Sequence, residues 1–269
     1  RYKRSTGAFL AHSIGEKKFN PTKIQNKGDS MQDSATTLAS SPLDAAARDA
    51  LITRWQQIKQ TLPMHVTLLA VSKTKPSDMI RILAGEGQGD FGENYVQEAI
   101  SKITELKDVT ANGSPLVWHY IGHIQRNKTR DLTEHFDWVH GVDRLIIAER
   151  LSEQRPTMLA PLNVCIQVNI DDEASKSGCQ PEEVPELVRQ ISQLPNLRLR
   201  GLMIIPAKDS TNAFAITKAL FDDNCQNHAR PEDWDTLSMG MSGDIEQAIV
   251  AGSTMVRIGT AIFGARDYT

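Results

Sequence analysis

Cysteine is scarce in this sequence. Cys165, Cys179 and Cys225 form no CxxC pair and leave one thiol over, so a disulfide framework is not expected and a reducing cytoplasm fits the chain. Long apolar runs are missing too: nothing approaches the roughly 18 consecutive apolar residues of a membrane span. Neither sign of charge dominates, with 30 Lys and Arg against 33 Asp and Glu for a formal net charge of −3. That balance gives no electrostatic basis for nucleic-acid binding, which usually needs a concentrated basic face. Asn112-Gly-Ser and Asn127-Lys-Thr match the glycosylation pattern, but without a secretory signal both read as coincidence. What remains is an ordinary globular composition, 40% hydrophobic and 23% charged over 269 residues, enough for one large domain or two small ones.

The first thirty residues differ from the rest. They hold seven Lys or Arg and two acidic residues, so this stretch carries +5 and the remainder −8. Residues 1–30 show no sustained apolar period and are read as a disordered leader or upstream extension in preference to a basic targeting arm. Residues 31–42 are expected to be a flexible N-terminus, and 43–269 a single domain.

From Pro42 onward two textures alternate. Residues 44–61 have helical spacing, with Ala47, Leu51, Trp55 and Ile58 along one stripe. Short apolar runs then follow at Val66–Val71, Gly89–Gly92, Leu116–Ile121, Trp138–Val142, Asn163–Asn169, Leu197–Ile204, Thr236–Ser238 and Thr254–Ile258, separated by segments of helical length. Such alternation implies parallel strands, because each crossover carries the chain back along the sheet. Eight units in about 200 residues is the count and size of a (β/α)8 TIM barrel. A doubly wound open sheet would want a Gly-rich turn after its first strand, whereas "GEGQGD" follows a helix and precedes a strand, where glycines cap and turn the chain.

Chemistry in such a barrel collects at the C-terminal ends of the strands. Lys73 ends the first strand, Gly92-Glu93-Asn94 the second, His119 to Gly122 the third, Asn169 the fifth and Met203 the sixth, while "SMGMSGD" and "RIGTAIFG" follow the seventh and eighth. The loops after strands seven and eight are a frequent phosphate site. Ser242 is expected to cap a helix through "GDIEQAIVAG", and Gly243, Gly259 and Thr260 to offer close backbone and a hydroxyl to an anion, with the Asp244 charge directed away. A lysine facing such a cradle can neutralise a phosphate or condense with a carbonyl. Partial burial beside cations such as Lys75 would depress its pKa for the second task. A phosphorylated aldehyde would be held at both ends, and pyridoxal 5′-phosphate has that shape.

The segments "LLAVSKTKP", "FGENYVQEA", "WHYIGHIQRNK", "VNIDDEASKSG", "LRGLMIIPA", "LSMGMSGDIEQAI" and "GSTMVRIGTAIFGAR" closely resemble the pyridoxal phosphate homeostasis protein family, over about residues 43 to 269. Its members look like the barrel domain of alanine racemase standing alone, a type III pyridoxal phosphate fold. The resemblance implies that Lys73 carries the cofactor as a Schiff base. It further implies Asn94 near the ring, Ser242, Gly259 and Thr260 on the phosphate, and Arg257 at the pyridine nitrogen; Met203, at the end of the sixth strand, is counted in the cofactor-binding set as well. His123, in "IGHIQ", stands where some members would have proline.

The other polar residues have plainer readings. His119 beside Trp118 suits a packed, hydrogen-bonded histidine at least as well as a base. "QRNKTR" reads as a solvated helix start in preference to a second anion site. "DDEASKSG" lacks metal-binding spacing and reads as a flexible loop, and Lys75 as an exposed neighbour.

Three functions stay open on the residues alone: a cofactor carrier, an amino-acid racemase, and a Schiff-base aldolase drawing on Glu93, His119 or Asp244. A racemase of this type needs a tyrosine from a second domain, and the sequence ends at Thr269, eleven residues beyond Ile258; Tyr95 or Tyr120 would have to substitute. The resemblance favours an intracellular carrier in cofactor homeostasis. It is expected to be monomeric and without firm catalytic turnover, with amino acids or client apoenzymes as partners and no membrane or nucleic acid.

Overall fold

The computed structural model describes residues 43–172, 177–208 and 210–265. The expectations for residues 1–42 lie outside these, as does the middle of the "DDEASKSG" loop. Among the described residues, eight parallel strands close into a barrel: β1 (Thr67–Val71), β2 (Asp90–Glu93), β3 (Val117–Tyr120), β4 (Trp138–Val142), β5 (Leu162–Val168), β6 (Leu197–Ile204), β7 (Thr236–Ser238) and β8 (Met255–Ile258). Each strand pairs with the next in chain order, and β8 returns to β1 with Leu69 opposite Arg257. Every boundary falls within one residue of its sequence expectation.

The apolar runs are dense because these strands bury both faces. Side chains alternate along each pleat. Leu68 and Ala70 therefore join the shell packed under the helices, while Leu69 turns inward with Trp138, Cys165, Met203 and Met255. Burial pushes the Cys165 and Cys179 thiols up to about 12, so neither offers a thiolate near neutrality, and all three cysteines are free.

Around the barrel run α1 (Ala45–Thr61), α2 (Ser77–Gly85), α3 (Val96–Glu105), α4 (Thr129–His135), α5 (Leu145–Gln154), α6 (Val184–Ile191), α7 (Ala213–Asn224), α8 (Ile245–Val250) and α9 (Thr260–Phe263). Asp44 caps α1 by accepting from the Ala47 N–H at 2.7 Å. Leu51 and Trp55 are buried along the predicted stripe, but Ala47 is exposed. The first turns of α1 stand clear of the core, and burial begins at Leu51. Trp55 donates to Gln88 Oε1 at 2.8 Å, and the Gln88 amide in turn donates to the carbonyls of Leu68 and Asp90, tying helix to strands. Gly87, at φ +96°, closes α2 as the "GEGQGD" reading requires. None of the described helices is long and apolar enough to cross a membrane.

One small element escaped the sequence reading. Thr110–Ala111 pairs antiparallel with Ser114–Pro115 across Asn112 (φ 51°) and Gly113 (φ 80°). Two successive positive φ values favour Asn-Gly, the strongest short-range hairpin signal. The dipeptide has a structural reason to be there, independent of any glycosylation pattern.

Candidate functional site

Lys73 sits in the turn that leaves β1, and that turn is clamped from both sides. The Ser72 N–H donates to Gly92 O at 3.0 Å, prolonging the β1–β2 ladder. Thr74 adopts φ +62°, a costly conformation for a β-branched residue, and its N–H donates to Glu98 Oε1 at 2.6 Å. From α3, the buried Lys102 ammonium donates to Ser72 O at 2.7 Å, Glu93 Oε1 at 2.8 Å and Glu98 Oε1 at 2.6 Å. Ser72 Oγ also donates to Glu93 Oε1, at 2.7 Å. Glu93 points outward toward α3, away from the mouth. Burial raises its carboxyl pKa while Lys102 opposes the shift, and its Oε2 has no partner among the described residues.

Val71, Lys73 and Lys75 line one cleft with Gly259, Thr260, Phe263 and Gly264. Two segments separated by most of the chain therefore meet as the sequence predicts. A Cβ on Gly259 would come to 3.2 Å from Val71 O, so the approach is close there. Thr260 opens α9, where the Ile262 and Phe263 N–H groups turn back onto Gly259 O at 3.0 and 2.9 Å, so that of the first turn only the N–H groups of Thr260 and Ala261 lie ahead of the helix's own bonds. Lys75 departs from expectation. It is only partly exposed, and its ammonium donates to Ala265 O at 2.5 Å, fastening the lysine turn to the segment after α9.

Arg257 projects into the barrel interior. Nη1 donates to Ser238 O at 2.6 Å and Oγ at 2.9 Å, and Nη2 donates to Ile204 O at 2.7 Å. Burial pushes the guanidinium down to about 10, so it keeps its charge at neutral pH. Met203 lies wholly buried in the same interior, opposite Ser238 across β6 and β7. Asn94 follows β2. It lines one cavity with Tyr120, Gly122, His123 and Lys128, and a neighbouring one with Gln167, Asn169 and Ile205. Its Oδ1 is buried without a partner among the described residues.

Ser242 does not cap a helix. α8 starts at Ile245 with Asp244 in the cap position. The Asp244 carboxylate accepts from the Met241 N–H, and the Asp244 N–H donates back to Met241 O at 3.0 Å. That local turn outcompetes the serine cap and leaves Ser242 and Gly243 exposed. The Asp244 charge is thereby turned onto its own loop. The loop stays anchored to the site because the Arg257 N–H donates to Gly240 O at 2.9 Å.

His119 is a packed histidine, fully buried and stacked on Trp138 with centroids 5.3 Å apart. Its Nδ1 lies 2.9 Å from His140 Nε2, its Nε2 lies 3.1 Å from Asp90 Oδ1, and His140 Nδ1 lies 3.0 Å from Ser238 Oγ. None of Glu93, His119 and Asp244 is among the residues lining the Lys73 cleft. The "QRNKTR" segment is a largely exposed short turn leading into α4, as a solvated helix start should be.

Burial, reinforced by His119 and Arg257, holds the His140 pKa well below the usual histidine value, and burial also lowers His228. A depressed folded pKa contributes stability above the unfolded value, near 6.5, that is lost as pH falls. Urea unfolding between pH 7.5 and 5 is thus expected to show stability dropping below pH 6.5. The slope approaches about 1.4 kcal/mol per pH unit for each such histidine. A His140→Gln variant should show a shallower fall; an unchanged slope would refute the assignment.

The sequence reading missed Lys102, Glu98 and His140. The i,i+4 spacing of Glu98 and Lys102 was visible, but on a helix that spacing ordinarily marks a solvated pair.

A family profile described as the N-terminal domain of alanine racemase matches residues 47–267. The pyridoxal phosphate homeostasis protein of Pseudomonas aeruginosa is 58% identical over 212 residues, covering 77% of this chain and 87% of that protein. The protein of that name from Escherichia coli K12 is 54% identical over 209 residues, covering 77% and 88%. Among solved structures, PipY of Synechococcus elongatus with PLP bound superposes with a TM-score of 0.66 at 37% identity, over 80% of this chain and all of that one.

Proposed function

Since this chain belongs to the pyridoxal phosphate homeostasis protein family, we propose that it holds pyridoxal 5′-phosphate through Lys73 and serves to store and deliver it. The observation that carries this reading is the cleft shared by Lys73 with Gly259 and Thr260, which supplies an amine and an anion cradle within one small volume. The residues fit the group. Asn94 Oδ1 is buried and lacks a partner among the described residues, and the charged Arg257 guanidinium lies in the interior as a donor for a ring nitrogen. In this reading the Thr260 hydroxyl, the Gly259 backbone and the exposed Ser242 hydroxyl hold the phosphate, Asn94 contacts the ring, and Met203 forms part of the floor. When bound, the cofactor supplies an aldehyde that condenses with an amine, releasing water, and that a second amine can take over. That second amine belongs to an amino acid or a client apoenzyme, and the carrier acts as a cytoplasmic monomer.

Carrier function is favoured over turnover by the state of the candidate bases. A racemase needs proton-transfer groups on both faces of its substrate. The Tyr120 hydroxyl is pushed up to about 12 by burial and donates to His123 O at 2.9 Å, so it is a poor base. Tyr95 is exposed, and Lys75 is engaged with Ala265. A charged arginine also offers a ring nitrogen no readily transferred proton, which makes a weaker electron sink than a carboxylate partner would.

The test is a visible spectrum of the protein with pyridoxal 5′-phosphate, before and after adding D- or L-alanine, with chiral chromatography of the same samples. A carrier gives a protein-bound band and no inverted alanine. Inverted alanine would make the protein a racemase, and the absence of any band would favour an aldolase acting on a phosphorylated sugar.

A further inference from the structure

We propose that Asp90, His119, His140 and Ser238 form a one-directional hydrogen-bond relay through the barrel interior, whose task is to position the Arg257 guanidinium and keep it charged. They are positioning residues, acting on a ligand only through Arg257. The relay itself is a property of the protein alone; its bearing on a cofactor ring rests on the reading above.

The interior of such a barrel is usually filled by branched apolar side chains. Here a polar string crosses it, from Arg257 near the C-terminal end of β8 to Asp90 at the start of β2. Its links are 2.9 Å (Arg257 Nη1 to Ser238 Oγ), 3.0 Å (Ser238 Oγ to His140 Nδ1), 2.9 Å (His140 Nε2 to His119 Nδ1) and 3.1 Å (His119 Nε2 to Asp90 Oδ1). Ser238, His119 and His140 are all fully buried, whereas the Asp90 side chain is 33% exposed.

Chemistry orients every link. Arginine only donates, so Ser238 Oγ accepts from it. The serine proton is then available to His140 Nδ1, which accepts, and a neutral His140 carries its proton on Nε2 and donates to His119 Nδ1. His119 in turn carries its proton on Nε2 and donates to the Asp90 carboxylate. Reversing the two neutral imidazoles would aim a bare His119 Nε2 lone pair at that carboxylate. Protonating His119 would allow the reverse order, but it would bury a second cation in the interior that already holds Arg257. With all donors pointing one way, each bond polarises the next. The negative end at Asp90 strengthens Ser238 Oγ as an acceptor, and Arg257 is held against its burial.

The first test is a two-bond proton–nitrogen correlation spectrum of the full chain labelled with ¹⁵N-histidine, at neutral pH and without cofactor. Both His119 and His140 are expected as neutral Nε2–H tautomers. A doubly protonated His119, or a His140 proton on Nδ1, would overturn the relay. The second uses Asp90→Leu, Ser238→Ala and the double variant. Asp90→Leu should mix the tautomers of His140, which Asp90 does not touch. Each single variant should weaken pyridoxal 5′-phosphate binding about fivefold, the worth of roughly one net hydrogen bond. The double variant should be no weaker than either single one, because one broken chain cannot be broken again. Additive losses with an unmoved His140 signal would mean ordinary packing roles and sink the proposal. Should the unaltered protein bind no pyridoxal 5′-phosphate, the cofactor reading fails, and the tautomer spectrum still decides the relay.

Discussion

Lys73→Ala is expected to abolish covalent capture of pyridoxal 5′-phosphate completely while leaving the fold intact. The clamp around the lysine turn uses the Ser72 carbonyl and the Thr74 N–H, both backbone groups that the substitution preserves. The clamp is thus kept in the variant, and its circular dichroism spectrum should match that of the parent. The visible band of the bound cofactor should disappear, and borohydride reduction followed by mass spectrometry should find no added mass. Lys73→Arg separates the two roles open to this residue. It keeps the positive charge but not the nucleophilic amine, so a lysine that merely neutralises a phosphate would be replaced well by arginine. Retained covalent cofactor in either variant would move the attachment to another amine, such as that of Lys75, which lines the same cleft.

Lys102→Met should destabilise the protein by about 3–5 kcal/mol, the typical cost of removing one partner from a buried ion pair. Glu93 is fully buried, and without Lys102 its carboxylate keeps only the Ser72 hydroxyl among its described partners. Loss on this scale consumes much of the 5–15 kcal/mol that ordinarily holds a domain together. The pH dependence identifies the cause. A carboxyl whose folded pKa is raised gives stability that is present below its unfolded pKa and lost as pH rises through the folded one. Glu93 already lies on that side, and losing Lys102 moves it further, so the deficit should shrink as pH falls toward 5. Adding Glu93→Gln should recover most of the loss, since no charge is then stranded. A Lys102→Met protein as stable as the parent, or one whose deficit ignores pH, would show that the clamp contributes little. The same variant should bind cofactor more weakly, because the carbonyl beside Lys73 and the strained Thr74 have lost their anchor.

The barrel was legible because its signal is repeated and local. Each strand announces itself as a short apolar run, and Lys73, Gly259 and Thr260 come together wherever the ends of β1 and β8 are neighbours. Residues that depend on register were not legible. His119 and His140 stand 21 positions apart, and only the pairing of β3 with β4 sets both imidazoles into the interior. Lys102 was hidden for a different reason: a lysine four residues after a glutamate looks the same in sequence whether the pair is solvated or sealed under a loop. Ser242 was misjudged because two capping residues stand within three positions, and the choice between serine and Asp244 depends on the turn at Met241.

The seam between β1 and β8 also bears on how the chain reaches this state. Thr67 pairs with Met255, and Arg54 of α1 donates to Ile262 O, 208 positions further along the chain, at 2.7 Å. Contacts of such separation carry the largest loop-closure entropy and form late in slow-folding topologies. The Lys73 cleft is divided across this seam, with one wall from each end of the barrel. No folding intermediate lacking the closed ring can possess it. A ligand that needs both walls binds only the completed fold and pulls refolding toward it by mass action, so cofactor capture during refolding would time the closing of the ring.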